Sequence, residues 1–230
     1  VGNTLYFVAG SVPIGVALSL LLAIAIDRPL YGIGVIRTCV FLPVITSTVA
    51  VALVWTWFYD PNFGILNYLI SLAADALGLG PVKPIEWLNN PSTAMGAIIA
   101  MSIWKSLGYN MVIFLAGLQA IPHDLYEAAR IDGASRWKQF LHITLPMLGP
   151  ALLVVGVITV SGYFQLFAEP YVMTRGDPLQ STVSVLYFMF EEGFKWWNLG
   201  NASAVAFLLF LLMVATTSGL LWFARRKGIE

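Results

Sequence analysis

Residues 127–146 read EAARIDGASRWKQFLHITLP, a polar segment that opens with two helical turns and closes on Leu145-Pro146. It stands between long apolar runs in a chain of 230 residues that is 59% hydrophobic and only 10% charged. A soluble domain carries about 25% charged residues. A buried core cannot account for the shortfall, because a core shares its chain with a charged surface. The composition therefore implies lipid as solvent, and a polar segment between apolar runs reads as a connection outside the membrane.

The segment has more internal order than a connection needs. Spaced as a helix, Leu125, Ala128, Ala129 and Ile131 put small and apolar side chains along one side. Glu127, Arg130 and Asp132 supply charge near its ends, and Gly133 permits a turn or a close backbone approach. Pro146 falls where the next apolar run begins, in a position that the first turn of a helix tolerates. A short helix with a flat alanine face suits insertion into a groove on another protein.

A bilayer core of about 30 Å takes about 20 apolar residues in a helix. Four stretches meet that length without a charge: Thr4–Ile26, Thr38–Tyr59, Ile143–Ala168 and Asn198–Ala224. A fifth, Ser92–Gln119, meets it with Lys105 as the exception. The run Ser181–Phe190 is too short to cross and reads as an interfacial or re-entrant helix. The expectation is an all-α membrane protein, residues 1–230 forming one transmembrane domain of five spans with a short outer helix. Residues 121–146 form its polar connection and 60–91 its long outer one, which holds Pro61, Pro81, Pro84 and Pro91. Within the latter, GILNYLISLAADALGL (residues 64–79) has amphipathic spacing, fit to lie flat on the membrane or to meet a soluble partner.

The bases give a direction. Arg28, Arg37, Arg130, Arg136, Lys138, Arg225, Arg226 and Lys227 fall on one side of this arrangement. Lys83, Arg175 and Lys195 fall on the other, among the acids Asp60, Asp75, Glu86, Glu169, Asp177, Glu191 and Glu192. The positive-inside rule makes the eight-base side, with the C-terminus, cytoplasmic. Val1 is then outside and a further span is expected ahead of it. The opening VGNTLYF, without an initiator Met, fits a trimmed fragment.

Several classes are disfavoured. A net charge of zero gives no basic field for nucleic acid. The single Cys39 cannot form an internal disulfide and reads as a small hydrophobe. No cationic region precedes the first apolar run, so it is not a signal peptide. No GxxxxGK[ST] loop is present to cradle ATP phosphates. His123 and His142 both lie in the polar connection and read as surface residues, leaving no metal constellation and no catalytic triad.

The pattern Glu-Ala-Ala, three residues, Gly, nine residues, Ile-x-Leu-Pro is met at every position from Glu127 to Pro146. It resembles the signature loop of permease subunits of bacterial ATP-binding-cassette importers. The fuller LYEAARIDGASRWKQFLHITLP (125–146), FLPVITSTVAVALVWTWFYDPNFGILN (41–67) and YVMTRGDPLQSTVSVLYFMF (171–190) are similar to the carbohydrate-uptake branch, near the maltose and glycerol-phosphate permeases. The chain departs from relatives at Arg175-Gly176-Asp177-Pro178, where a Gly-Gly-Pro turn is common. The resemblance implies a type I importer permease core and a heterodimer with a second permease subunit. It also implies two separate ATPase subunits that hold ATP and Mg, and a periplasmic or lipid-anchored solute-binding protein. This chain itself would bind no cofactor and would not be an enzyme. Glu127, Ala128, Ala129, Asp132, Gly133, Leu145 and Pro146 would belong to the coupling helix and loop that seat on an ATPase.

A sugar site needs aromatic faces and hydrogen-bonding groups turned toward a water-filled cavity. Thr159, Tyr163 and Leu166 follow i, i+4, i+7 on one helical face, with Gln165 beside them and Gly156 and Gly162 leaving room. Carried over from the family by the Thr174–Pro178 turn, the sugar-contacting positions fall on Thr159, Tyr163 and Leu166; counted from Leu42-Pro43, they fall on Val44 and Thr48. The third expected span contributes the neighbourhood of Ser102, Trp104, Lys105 and Gly108. A lysine at mid-membrane costs about 2.5–3.5 kcal/mol, so Lys105 should face the cavity, contacting sugar hydroxyls or a phosphate, or should pair with an acid of the second permease.

Two other classes compete. A stand-alone secondary transporter would use membrane acids for ion coupling, yet no Asp or Glu lies deep inside any expected span. A membrane-bound assembly protein would have no use for the coupling segment.

Overall fold

The computed structural model describes residues 1–27, 31–226 and 228. Arg28 and Lys227, two of the eight bases that give the chain its direction, lie outside the described residues. Among the described residues every element is a helix: α1 (Gly2–Ile26), α2 (Ile33–Ile45), α3 (Thr48–Phe58), α4 (Ile65–Ala76), α5 (Pro91–Gln119), α6 (His123–Ile131) and α7 (Arg136–Gln139). A π-helical turn (Phe140–Thr144) leads into α8 (Leu145–Met147), α9 (Gly149–Phe164), α10 (Ala168–Met173) and α11 (Val185–Phe190). A second π-helical turn (Glu191–Lys195) precedes α12 (Leu199–Arg226).

Four stretches are long and apolar enough to cross a membrane: α1, α5, α9 with α10 (Gly149–Met173), and α12. The expected span Thr38–Tyr59 is instead two helices, α2 and α3, bent by 103°. The cause is local. Pro43, inside α2, has no N–H to give the carbonyl of Cys39, and Thr46 and Ser47 are extended, with ψ of 141° and 133°. The Thr46 hydroxyl donates to Leu42 O at 3.2 Å, occupying a carbonyl that the break frees. The fourth span also differs from expectation. It starts at Gly149 rather than Ile143, breaks between Phe164 and Ala168, and resumes as α10. Glu169, expected in an outer loop, is therefore part of an apolar span.

α1 lies along α5 and α9, α2 packs on α5, and α10 packs on α3 and, to a lesser extent, α5. One core cluster gathers Phe7, Val51, Tyr59, Ile98, Met101 and Leu166; a second gathers Leu20, Met111, Phe114, Leu148 and Val155. A third, around Val160, Phe164, Val185 and Leu209, joins α9 to α11 and α12. Lipid tails are as apolar as these side chains, so close packing holds such helices together more than burial does. Small residues make it possible. A Cβ on Gly117 would lie 2.9 Å from Leu148 Cδ2 and 3.0 Å from Ala151 Cβ. Ala23, Ala52 and Ala94 are fully buried. By contrast, α12 turns most of its apolar surface outward, as a lipid-facing helix can.

The outer connection is ordered by polar contacts. Asn67, on α4, donates to Pro61 O and Ile85 O and accepts from Ile85 N and Trp87 Nε1, at 3.0–3.2 Å. Asp60 Oδ1 accepts from the backbone N–H of Asn62 and Phe63. At its end Asn90 caps α5 by accepting from Ser92 N, with Pro91 at the first helical position.

Candidate transport site and coupling segment

Two regions carry the residues singled out by sequence. The first is where α5 meets α9 and α10. On α5, Ser102, Ser106 and Asn110 are spaced i, i+4, i+8 and so form one polar stripe. Tyr163 meets that stripe: its hydroxyl shares a hydrogen bond with Ser106 Oγ at 2.7 Å and donates to Ser102 O at 3.3 Å. One turn earlier, Thr159 Oγ1 donates to Asn110 Oδ1 at 3.4 Å. Thr159 is 6% exposed and Leu166 lies in the core with Phe7 and Met101. The ring of Tyr163 stands edge-on to Phe7, with centroids 5.2 Å apart.

The polar groups of Thr159 and Tyr163, both on α9, thus bond to α5 across an interhelical seam, while the half-buried ring of Tyr163 forms the seam's edge. Gln165 is exposed beyond it, its amide nitrogen donating to Ser161 O at 3.1 Å. Trp104 is 42% exposed, its ring 5.5 Å from that of Trp55 on α3. Lys105 is half-buried beside it. Val44 and Thr48 flank the 103° break between α2 and α3.

Gly108 plays a packing part. A Cβ there would lie 2.3 Å from Val40 O and 2.8 Å from Phe41 Cα, so its missing side chain lets α2 and α5 touch backbone to backbone. A residue so enclosed by protein has no surface left for a solute. Ser106, Asn110 and Trp55 join this region without having been singled out from the sequence, and Glu169, expected in an outer loop, lies within the apolar span Gly149–Met173. The first two were detectable as a polar stripe within an apolar run.

At the break after α9, the Leu166 carbonyl has lost its helical partner and accepts instead from Ser184 Oγ, which in turn accepts from Tyr187 N to cap α11. Val185 N donates to Thr4 Oγ1, tying α11 to the start of α1. Past α11, Lys195 Nζ pairs with Glu191 Oε1 at 2.8 Å, and that hydrogen bond holds the lysine's pKa above its usual value.

The second region runs from α6 to α8. No residue of α6 is buried, and Glu127, Ala128 and Asp132 are exposed with Leu125 and Ile131. Ile131 is 87% exposed. α6 ends at Gly133, whose φ of 74° suits glycine; Ala134 N returns to Ala129 O at 2.8 Å. Ser135 then caps α7, and Gln139 Nε2 donates to Ala134 O. Pro146 cannot donate to His142 O, and just upstream the ladder slips to a π-helical bond from Leu145 N to Phe140 O. Tyr126 and Thr144 share a hydrogen bond at 2.9 Å that fixes α6 against this turn. Leu145 packs beside the second core cluster, so the exposed helix is anchored to the membrane core.

Among the described residues no group of three or more His, Cys, Asp or Glu could hold a metal ion.

The chain is similar to several curated permeases. It is 36% identical to the trehalose/maltose transport system permease protein of Thermococcus litoralis over 217 residues, 93% of this chain and 70% of that one. It is 35% identical to the lactose transport system permease protein of Rhizobium radiobacter over 228 residues, 98% and 74% of the two chains. A probable ABC transporter permease protein of Bacillus subtilis is 38% identical over 179 residues, 78% of this chain; the match spans 60% of that relative's length. The fold matches a chain of a bacterial ABC transporter involved in the import of the acidic polysaccharide alginate. The TM-score is 0.85 at 24% identity, covering 98% of this chain and 78% of the other. A further alginate ABC transporter structure, in complex with an alginate pentasaccharide-bound periplasmic protein, matches at a TM-score of 0.85 and 25% identity, covering 98% and 77%. With residues 15–228 matching its family description, the chain belongs to the binding-protein-dependent transport system inner membrane components and is a transport component rather than an enzyme.

Proposed function

We propose that this chain forms half of the translocation path of an ATP-driven importer for a sugar or a glycerol-phosphate-like solute, working with a second permease, two ATPases and a solute-binding protein. The observation that carries the reading is α6. It is a nine-residue helix with Leu125 and Ile131 bare to the surroundings, yet fixed to the core through Tyr126 and Leu145. A helix exposed and apolar on one face, but rigidly mounted, is suited to transmit a push from a partner. Closure of the ATPases on ATP would move α6 and rock the attached helices between inward- and outward-facing arrangements.

Relatives are named for trehalose and maltose, lactose, and sn-glycerol 3-phosphate, which supports this solute range. Solute would pass the surface formed by Trp104, Lys105, the ring of Tyr163 and Gln165, beside Val44 and Thr48 at the bend. The asymmetry of bases supports placing α6 and the C-terminus in the cytoplasm and α4 outside.

The test is purification of the chain with its neighbouring ATPase and permease, followed by ATP hydrolysis with and without loaded binding protein. Co-purification and solute-stimulated hydrolysis are expected. A chain that moves solute alone, without an ATPase, overturns the reading in favour of a secondary transporter. Single cysteines at Arg136 and Lys83 check the direction. The first should react only from the cytoplasm and the second only from outside.

A further inference from the structure

The long outer connection closes on itself and leaves a cavity of about 610 Å³ between residues 61–64, one side of α4 and residues 82–84. That size suits a small organic ligand or the end of a larger one. Its walls are held from within. The side chain of Asn67 ties Pro61 O and both backbone groups of Ile85 to α4, and Asp60 Oδ1 holds the backbone N–H of Asn62 and Phe63. The turn closes only on a glycine, since a Cβ at Gly64 would lie 2.3 Å from Asp60 O and 2.5 Å from Phe58 O. The frame is thus hydrogen-bonded internally, whereas three of the side chains that line it keep their polar ends unbonded.

The amide of Asn62, the hydroxyl of Tyr68 and the ammonium of Lys83 line the cavity without a hydrogen-bond or ion-pair partner among the described residues. Phe63 and Tyr68 bring their rings to the same place, 93% and 64% exposed. One fixed frame therefore holds two bare aromatic rings, an amide that both donates and accepts, and a cation. No acid is among the lining residues, so Lys83 gives the cavity a positive sign.

The geometry points to this cavity as a second saccharide site, one that takes the end of an acidic oligosaccharide outside the membrane. It goes beyond the importer reading, from which it takes only its outward placement: it shares no residue with the path beside Tyr163 and needs no ATPase to bind. The rings of Phe63 and Tyr68 meet the apolar CH faces of a sugar, and the Tyr68 hydroxyl and Asn62 amide pair with its hydroxyls. Lys83 then donates to the carboxylate, a charge-assisted hydrogen bond. A neutral sugar makes the first contacts and lacks the last, so it binds less tightly.

The test is saturation-transfer NMR on the purified transporter without binding protein, with trigalacturonate and maltotriose as probes. Trigalacturonate should bind about three- to fivefold more tightly at low salt, and the advantage should shrink as salt is raised. Phe63→Ala and Tyr68→Ala should each weaken both probes by about two- to tenfold. Lys83→Met should abolish the preference for the acid, and Lys83→Arg should keep it. Tyr163→Ala, which alters only the path between α5 and α9, should leave this binding as it is. Binding of neither probe, equal affinity for the two, or binding lost in Tyr163→Ala but kept in Tyr68→Ala overturns the site. So does a result in which the cavity variants change only the stimulation of ATP hydrolysis by loaded binding protein, which would make the cavity a protein contact. Should a ring variant fail to fold, the two Lys83 variants decide by the ratio of the probes. If no ATPase co-purifies, the importer reading fails, and the same binding series on the purified chain still judges the cavity.

Discussion

The hydroxyl of Tyr163 on α9 and that of Ser106 on α5 lie 2.7 Å apart, and this contact decides how the seam between the two helices is held. Lipid offers no competing hydrogen-bond partner, so losing the contact leaves Ser106 with its own carbonyl bond to Ile103 and little else. Tyr163→Phe keeps the ring against Phe7. It should cost about 0.5–1.5 kcal/mol, seen as a lowered unfolding midpoint, with uptake close to wild type. Tyr163→Ala removes the ring as well and should cut uptake several-fold while ATPase stimulation by the binding protein survives better. Equal uptake by Tyr163→Ala and wild type would remove the residue from the solute path.

Gly133 holds a φ of 74° with nothing within 4 Å of an added Cβ. A substitution there meets backbone strain but no clash, so its cost is about 1–2 kcal/mol for a residue with a Cβ. Gly133→Leu should therefore insert and fold, yet disturb the end of α6 enough to abolish solute-stimulated ATP hydrolysis. Gly133→Asn, which tolerates a left-handed backbone, should retain most of it. Normal coupling in the leucine variant would dissociate α6 from the ATPase contact.

The polar segment and the long spans were legible because both depend on local rules. The Gly and Pro positions and the apolar runs between 127 and 173 state their own constraints. The 103° bend was not legible. Pro43 was visible, but proline is tolerated in membrane helices where neighbours re-satisfy the backbone, and nothing in its spacing announced that Thr46 and Ser47 leave the helix altogether. Glu169 was misplaced for a similar reason. Counting apolar residues ended the span at Ala168, whereas the helix is interrupted at Gln165–Phe167 and resumes as α10, so the apolar span runs on to Met173 and includes the acid. The role of Gly108 depends on Val40, far away in sequence, and no spacing announces it.

Asn67 unites both sides of the outer connection through four hydrogen bonds. Asn67→Ala would strand the backbone N–H of Ile85 and the Trp87 indole, at a cost of about 1–3 kcal/mol. The loss should be local: faster hydrogen exchange and protease cleavage across residues 60–90, with α5 and α9 unchanged. Exchange equal to wild type would mean that the prolines alone fix this cap.

Gly108 gives the sharpest prediction for assembly of the fold. An alanine would bring its Cβ to 2.3 Å from Val40 O and 2.8 Å from Phe41 Cα, both backbone atoms that cannot rotate aside. The helices must separate by more than half an ångström, and dispersion contacts along the whole α2–α5 seam weaken together. Overpacking of this kind costs about 1–3 kcal/mol, and more is expected for Gly108→Leu. Gly156 is the control, because nothing lies within 4 Å of a Cβ built there. Gly156→Ala should leave the unfolding midpoint unchanged, and Gly108→Ala should lower it and the yield of assembled protein. Equal midpoints for the two variants would show that α2 and α5 do not meet backbone to backbone. In that case Gly108 returns to the solute path as an open position beside Lys105.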